Sequence, residues 1–152
     1  MSDRFIKFQI VTPERIVLEE EITQITVPTQ MGEITVLPGH IPLVAALAAG
    51  EIRAKKNGEE ILMAVSGGFI EVSKNKIVIL ADTAERAEEI DTKRAEEARQ
   101  RAQRLKEEKR FDQVEFAALQ AKIEKELARL KVARKHRHRV GAPNPLSEQE
   151  EK

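Results

Sequence analysis

Six glycines and four prolines fall within residues 1–68, whereas residues 69–140 contain neither. These residues interrupt regular structure most strongly, glycine through backbone entropy and proline through its missing donor and ring clash. The first half is therefore limited to short elements separated by turns, and the long stretch free of both favours continuous helix.

The first half carries a period of two. Ile6, Phe8 and Ile10 alternate with Lys7 and Gln9, the pattern of a strand with one buried face. Thr23, Ile25 and Val27 share a second such face, and Ile34 and Val36 a third. Ile52 and Ala54 lead into Lys56-Asn57-Gly58, after which a strand resumes over Glu60–Val65. Asn57-Gly58 tolerates positive φ at both positions and predicts a type I′ hairpin. Ser66-Gly67-Gly68 breaks the chain before Phe69–Val72, and Lys74-Asn75 turns it before Ile77–Leu80. Strands this short with turns this frequent predict a closed or sandwiched β domain.

The period then changes. Thr83 is a candidate cap for a first helix, whose early acids Glu85, Glu88 and Glu89 suit its positive end. Ala87, Ala95, Ala98, Ala102 and Leu105 give that helix a thin apolar stripe. A break at Lys109–Asp112 leaves Asp112 to cap a second helix, with Glu115 completing a capping box. Phe116, Leu119, Ile123, Leu127 and Leu130 follow at spacings of 3, 4, 4 and 3, a stronger packing stripe. A loop this short predicts an antiparallel pair. One such stripe buries little apolar surface against the entropy of ordering two helices, so the hairpin is expected to be conditionally stable. The reading divides the chain into a β domain at 1–84, a helical hairpin at 85–135 and a basic, then polar, flexible tail at 136–152.

Composition excludes several functions. There is no cysteine, so disulfides, thiolate catalysis and cysteine metal sites are absent. No stretch approaches the 18 or so apolar residues of a membrane span, and MSDRFIKF lacks the plan of a secretory signal. The 26 basic and 26 acidic residues cancel. Residues 1–84 hold 11 acids and 8 bases, and residues 85–135 hold 12 acids and 15 bases, without the concentrated basic surface that nucleic acid requires. Lys131–Arg139 is locally basic, but no aromatic interleaves with it, so it reads as a solvated segment or a protein or phosphate contact. Histidines 40, 136 and 138 have no metal-ligand spacing. Ser66-Gly67-Gly68 matches neither a phosphate-binding loop nor a nucleophile elbow and reads as a turn or bulge. Gly32-Glu33 and Leu37-Pro38-Gly39-His40-Ile41-Pro42 suit tight turns, Pro38-Gly39 as type II, or a protein contact.

One constellation remains. Asp91, Arg94 and Arg101 share a broad face of the first helix, and Lys125 and Arg129 lie four apart on the second. An antiparallel hairpin brings late helix two beside early helix one. Such cations can surround a polyphosphate or simply form surface ion pairs, and the spacing alone does not choose.

FQIVTPERIV, MGEITVLPGHIPLVAAL and VSGGFIEV, followed by a final strand and a charged hairpin, together resemble the epsilon subunit family of bacterial rotary F-type ATP synthases. The resemblance spans nearly the whole chain, with Thr35-Val36 standing where many relatives have Gly-Ile. It implies an α+β fold: an N-terminal ten-stranded β-sandwich followed by a C-terminal antiparallel two-helix hairpin. It also implies a non-catalytic central-stalk subunit of a proton-translocating synthase. The implied partners are the gamma subunit and the c-ring, with the region around Glu33–Pro42 facing the rotor. The alpha and beta subunits join them when the helices extend and inhibit ATP hydrolysis. The implied location is the cytoplasmic face of the bacterial cell membrane, held peripherally through the complex.

Ile90-Asp91-Thr92-Lys93-Arg94-Ala95 further resembles the IDxxRA motif of ATP-binding members. The implied nucleotide site comprises Glu85, Ile90, Asp91, Arg94, Ala95, Arg101, Lys125 and Arg129. ATP would be a regulatory ligand there, with no catalytic cofactor and no metal site. Arg94, Arg101 and Arg129 would meet phosphate, while Lys125 stands where those relatives supply another arginine. Two other classes compete: a peptide-binding or oligomerising adaptor, and a nucleotide-binding enzyme, for which no nucleophile, base or metal cluster is in evidence.

Overall fold

Alternating apolar residues in the first half build ten strands, and the unbroken second half builds two helices. The computed structural model describes residues 4–108 and 113–141. The strands are β1 (Ile6–Val11), β2 (Ile16–Ile22), β3 (Gln24–Thr29), β4 (Gly32–Val36), β5 (Leu43–Leu47), β6 (Gly50–Lys56), β7 (Glu59–Val65), β8 (Gly68–Ser73), β9 (Lys76–Ala81) and β10 (Ala84–Arg86). A 3-10 turn at Ala87–Glu89 leads to α1 (Thr92–Glu108) and then α2 (Gln113–Val140).

The sheet folds into two layers. One runs β10-β7-β6-β3-β4 and the other β5-β8-β9-β1-β2. Strands β3 and β5 join them through the Thr29–Leu47 pair. The pairings are antiparallel except for β1 with β9. Side chains from both layers meet in one core, including Phe8 and Ile10, Ile25 and Val27, Met63 and Val65, and Ile77 and Ile79. The strand faces read from the sequence are thus the buried ones.

The turn chemistry follows the residues. Asn57 and Gly58 adopt φ of 51° and 81° between β6 and β7, as a type I′ turn demands. At Pro38-Gly39 the amide of His40 donates to the Leu37 carbonyl at 3.1 Å, and Gly39 has a φ of 81°, closing a type II turn. Gly68 is required for space as well: a Cβ there would stand 2.0 Å from the Leu80 carbonyl oxygen.

Strand β7 is covered on both sides. Met63 and Val65 enter the sandwich core, whereas Leu62 and Ala64 meet Ala87, Ile90, Val132 and Ala133 under the second helix. This explains the apolar run Ile61–Val65, which a half-buried strand does not need. On the opposite layer, Val44, Phe69 and Leu80 remain largely exposed, with Phe69 directly opposite Leu80. No described helix is long and apolar enough to cross a membrane.

Several expectations are corrected. Thr83 does not cap a helix; its hydroxyl donates to Ser66 Oγ at 2.8 Å, fastening two turns before β10 begins. β10 carries the sheet to Arg86, past the expected boundary at 84, and its pairing with β7 explains why. Residues 136–140 are helix rather than tail, because α2 continues to Val140 along the sheet. On α1, Ala95 and Ala102 are buried, but Leu105 is exposed and Ala87 belongs to the 3-10 turn. On α2, Ile123 and Leu130 are buried, Leu127 is 49% exposed, and Val132 and Ala133 make a second apolar face against the sheet. Phe116 is half exposed, with the Lys106 ammonium 4.8 Å from its ring centre. The Lys109–Asp112 break, the Asp112 cap and the tail beyond Gly141 lie outside the described residues.

Candidate functional site

Asp91 ends the extended segment after the 3-10 turn, and its Oδ1 accepts from the amide of Arg94 at 3.1 Å. Asp91 is therefore the N-cap of α1, the role expected of an aspartate immediately before a helix. Its other oxygen lies 3.5 Å from Arg94 Nε. Ile90, just before the cap, sinks into the apolar seam between β7 and α2. Ala95 is completely buried. Most of the Ile90–Ala95 motif thus has a local structural role, while the Arg94 side chain, paired only with Asp91 among the described residues, is 85% exposed.

The hairpin is antiparallel. Arg137 Nη2 donates to Thr92 Oγ1 at 2.5 Å at one end, and Lys106 Nζ donates to Gln120 Oε1 at 2.8 Å at the other. Those two contacts set Arg129 of α2 at the level of residues 97–100 of α1, short of Arg101. Arg101 is exposed and Lys125 half-buried, and neither makes a hydrogen bond or ion pair among the described residues. Arg94 lies nearly two turns from Arg101, toward the capped end of α1, at about 1.5 Å per residue.

Arg129 has a different environment. Its guanidinium donates to Glu85 of β10 through Nε at 2.5 Å and Nη2 at 3.1 Å, and to Glu126 through Nη1 at 2.6 Å. Burial pushes its pKa down, but its hydrogen bonds to the two carboxylates outweigh that effect and raise it. Any phosphate reaching Arg129 must compete with both. The structure brings together Glu85 with Arg129 and Asp91 with Arg94; it does not gather all the expected residues into one closed pocket. A cleft of about 400 Å³ between α2 and β7 is lined instead by Glu60, Leu62, Arg134, Lys135, His138 and Arg139.

Glu126 was missed by the sequence reading, although its spacing of three from Arg129 is a visible signal. So was Glu51 on the outer face of β6, whose role depends on a helix that packs over it. Among the described residues there is no group of three or more His, Asp or Glu suited to a metal ion.

Two family models divide the chain between them. The β-sandwich domain of the ATP synthase delta/epsilon chain matches residues 5–87, and the long α-helix domain of the same chain matches residues 88–134. An ATP synthase epsilon chain from Dehalococcoides mccartyi is 46% identical over 132 residues, covering 87% of this chain and 94% of the relative. One from Chloroflexus aggregans shows the same identity and coverage. Among solved structures, a chain of the Euglena gracilis mitochondrial ATP synthase, in an OSCP/F1/c-ring assembly, superposes with a TM-score of 0.73. The two are 26% identical, and the match covers 86% of this chain and 81% of that one.

Proposed function

This chain belongs to the delta/epsilon chain family of ATP synthase, and from that premise we propose that it is a non-catalytic central-stalk subunit with a regulatory hairpin. It couples rotation of gamma and the c-ring to ATP synthesis, and its C-terminal helices restrain ATP hydrolysis. Its place is the cytoplasmic face of the bacterial membrane, reached through the complex. The observation that carries this reading is the family match across both the sandwich and the helices.

The division of surfaces supports it. The outer face of β6 and β7 is taken by α2, leaving Val44, Phe69 and Leu80 of the opposite layer open to a partner, and the Pro38-Gly39 turn at the surface. A rotor-bound domain needs such a face while its hairpin stays docked. Compact and extended hairpins would then place α2 on the sheet or on the alpha and beta subunits.

ATP is proposed as a ligand that favours the compact form, binding at Glu85, Ile90, Asp91, Arg94, Ala95, Arg101, Lys125 and Arg129. The support is the Ile90–Ala95 motif, the exposed Arg94 and the antiparallel hairpin that returns Arg129 beside α1. A ligand shifts this equilibrium only by binding one form better than the other. The rotor assignment is tested by co-purification of the full chain with gamma. Stoichiometric recovery is expected, and loss of recovery in Phe69→Glu would place the contact on the open sheet face. Absence of any gamma association favours the adaptor reading.

A further inference from the structure

Glu51 projects from the outer face of β6 and lies beneath α2, its side chain only 2% exposed. Lys135 of α2 donates to Glu51 Oε1 at 2.6 Å, and Arg53 of the same strand donates to that oxygen at 3.0 Å. The second oxygen, Oε2, is buried and finds no donor among the described residues. Arg53 also grips Glu33 of β4 at 2.9 and 3.2 Å. Glu51 therefore has one permanent cation, held within the sandwich, and two that arrive only with the helix, Lys135 in contact and Lys131 acting through space.

We propose that Glu51 and Lys135 form a detachable latch that selects the docked position of α2 on the sandwich. The inference deepens the regulatory reading but rests on the docked geometry alone. Covering Glu51 removes a carboxylate from water, which is tolerable only when Lys135 is delivered to the same spot. A helix lifted from the sheet brings no ammonium to Glu51, and a one-turn slip that offers Lys131 in place of Lys135 moves Val132 and Ala133 off Leu62 and Ala64. The apolar contacts of Val132 and Ala133 supply attraction, while the ion pair supplies register.

Release is equally built in. When α2 departs, Glu51 returns to water and keeps Arg53, while Lys135 is already 44% exposed and hydrates readily. The incomplete pairing of Oε2 in the docked state keeps the latch from becoming a permanent clamp. Burial raises the Glu51 pKa, but hydrogen bonds from Lys135 and Arg53 outweigh it, so the carboxyl sits below its ordinary range and the latch is charged at neutral pH.

The test is amide hydrogen exchange on the isolated full chain without nucleotide, which separates this proposal from ATP binding and from ATP synthase membership. Protection of Val132 and Ala133 reports docking, and protection of Ile70 and Ile79 reports the sandwich. Lys135→Met is expected to raise exchange in α2 about tenfold while leaving the sandwich unchanged. Adding Glu51→Met removes the stranded charge and should recover at least half of that loss on a logarithmic scale. Exchange in Lys135→Met within threefold of the parent overturns the proposal. So does a double variant that recovers less than half.

Discussion

Arg129 reaches from α2 to β10 and holds both carboxylate oxygens of Glu85, at 2.5 and 3.1 Å, while a third donor meets Glu126. The contact ties the second helix to the last strand, across the segment that precedes the first. Arg129→Ala leaves the nearly buried Glu126 carboxylate without its cation, and should cost roughly 1–3 kcal/mol of hairpin stability. Arg129→Lys keeps the charge but loses the fork, giving an intermediate loss. Thermal and exchange measurements on the two variants check that order.

Arg94 offers a cleaner probe of the proposed nucleotide site. Its side chain is 85% exposed, and the Asp91 cap is made to its backbone amide, which survives substitution. Arg94→Ala should leave helix content unchanged and weaken ATP binding at least about tenfold, the loss of a charge-assisted phosphate contact. Calorimetric titration of the two proteins decides it. No saturable binding by the parent, or equal binding by the variant, removes the site.

The sandwich was largely legible because most of its strands announce themselves locally, although β2 and β5 were not read from their own residues and the count of ten came from the resemblance. Ile6, Phe8 and Ile10 needed only their alternation, and Asn57-Gly58 only its tolerance of positive φ. The hairpin was less legible because its helices answer to surfaces far away in sequence. Leu127 fits the apolar spacing of α2 yet points outward, while Val132 and Ala133, beyond the stripe, are buried against Leu62 and Ala64. Nothing local in Glu51 marks it as buried, since its burial is imposed by Lys135 arriving from 84 residues away. The extension of β10 to Arg86 was hidden for a related reason: its three residues carry no period and are held by pairing to β7.

That extension changes where a truncation should fall. Ending the chain at 84 removes Glu85 and Arg86 from a strand paired to Ala64 and Met63 and risks loosening the sandwich. Removal of residues 88–152 spares β10. Reconstituted into F1, the shortened chain should still associate with gamma but release hydrolysis from inhibition at low ATP. Steady-state hydrolysis with the full and shortened chains is the measurement, and unchanged rates at low ATP remove the brake.

Glycine substitutions separate space from backbone preference. Gly68→Ala drives a Cβ into the Leu80 carbonyl at a φ of 124°, so both effects oppose it. Gly58→Ala, at a φ of 81° with no atom within 4 Å, meets the backbone preference alone. The second should cost about 1–2 kcal/mol. The first adds an overpacking penalty of about 1–3 kcal/mol. Chemical denaturation of the sandwich, followed on both variants, should show Gly68→Ala as the more damaging.

Docking of α2 should weaken in acid through Glu51. Its folded pKa lies below the ordinary glutamate value, because the bonds from Lys135 and Arg53 outweigh its burial. A depressed carboxylate pKa stabilises the folded form above the unfolded pKa, and that contribution is lost as pH falls through the lower, folded value. The docked helix should therefore hold steady from neutrality to about pH 5 and loosen below about pH 4.3. Exchange at Val132 and Ala133, corrected for the intrinsic pH dependence of exchange, follows the transition. Glu51→Gln removes the titrating group, so its α2 should be looser at neutral pH and lose less on acidification. An acid response as large in Glu51→Gln as in the parent would rule out Glu51 as the group that titrates.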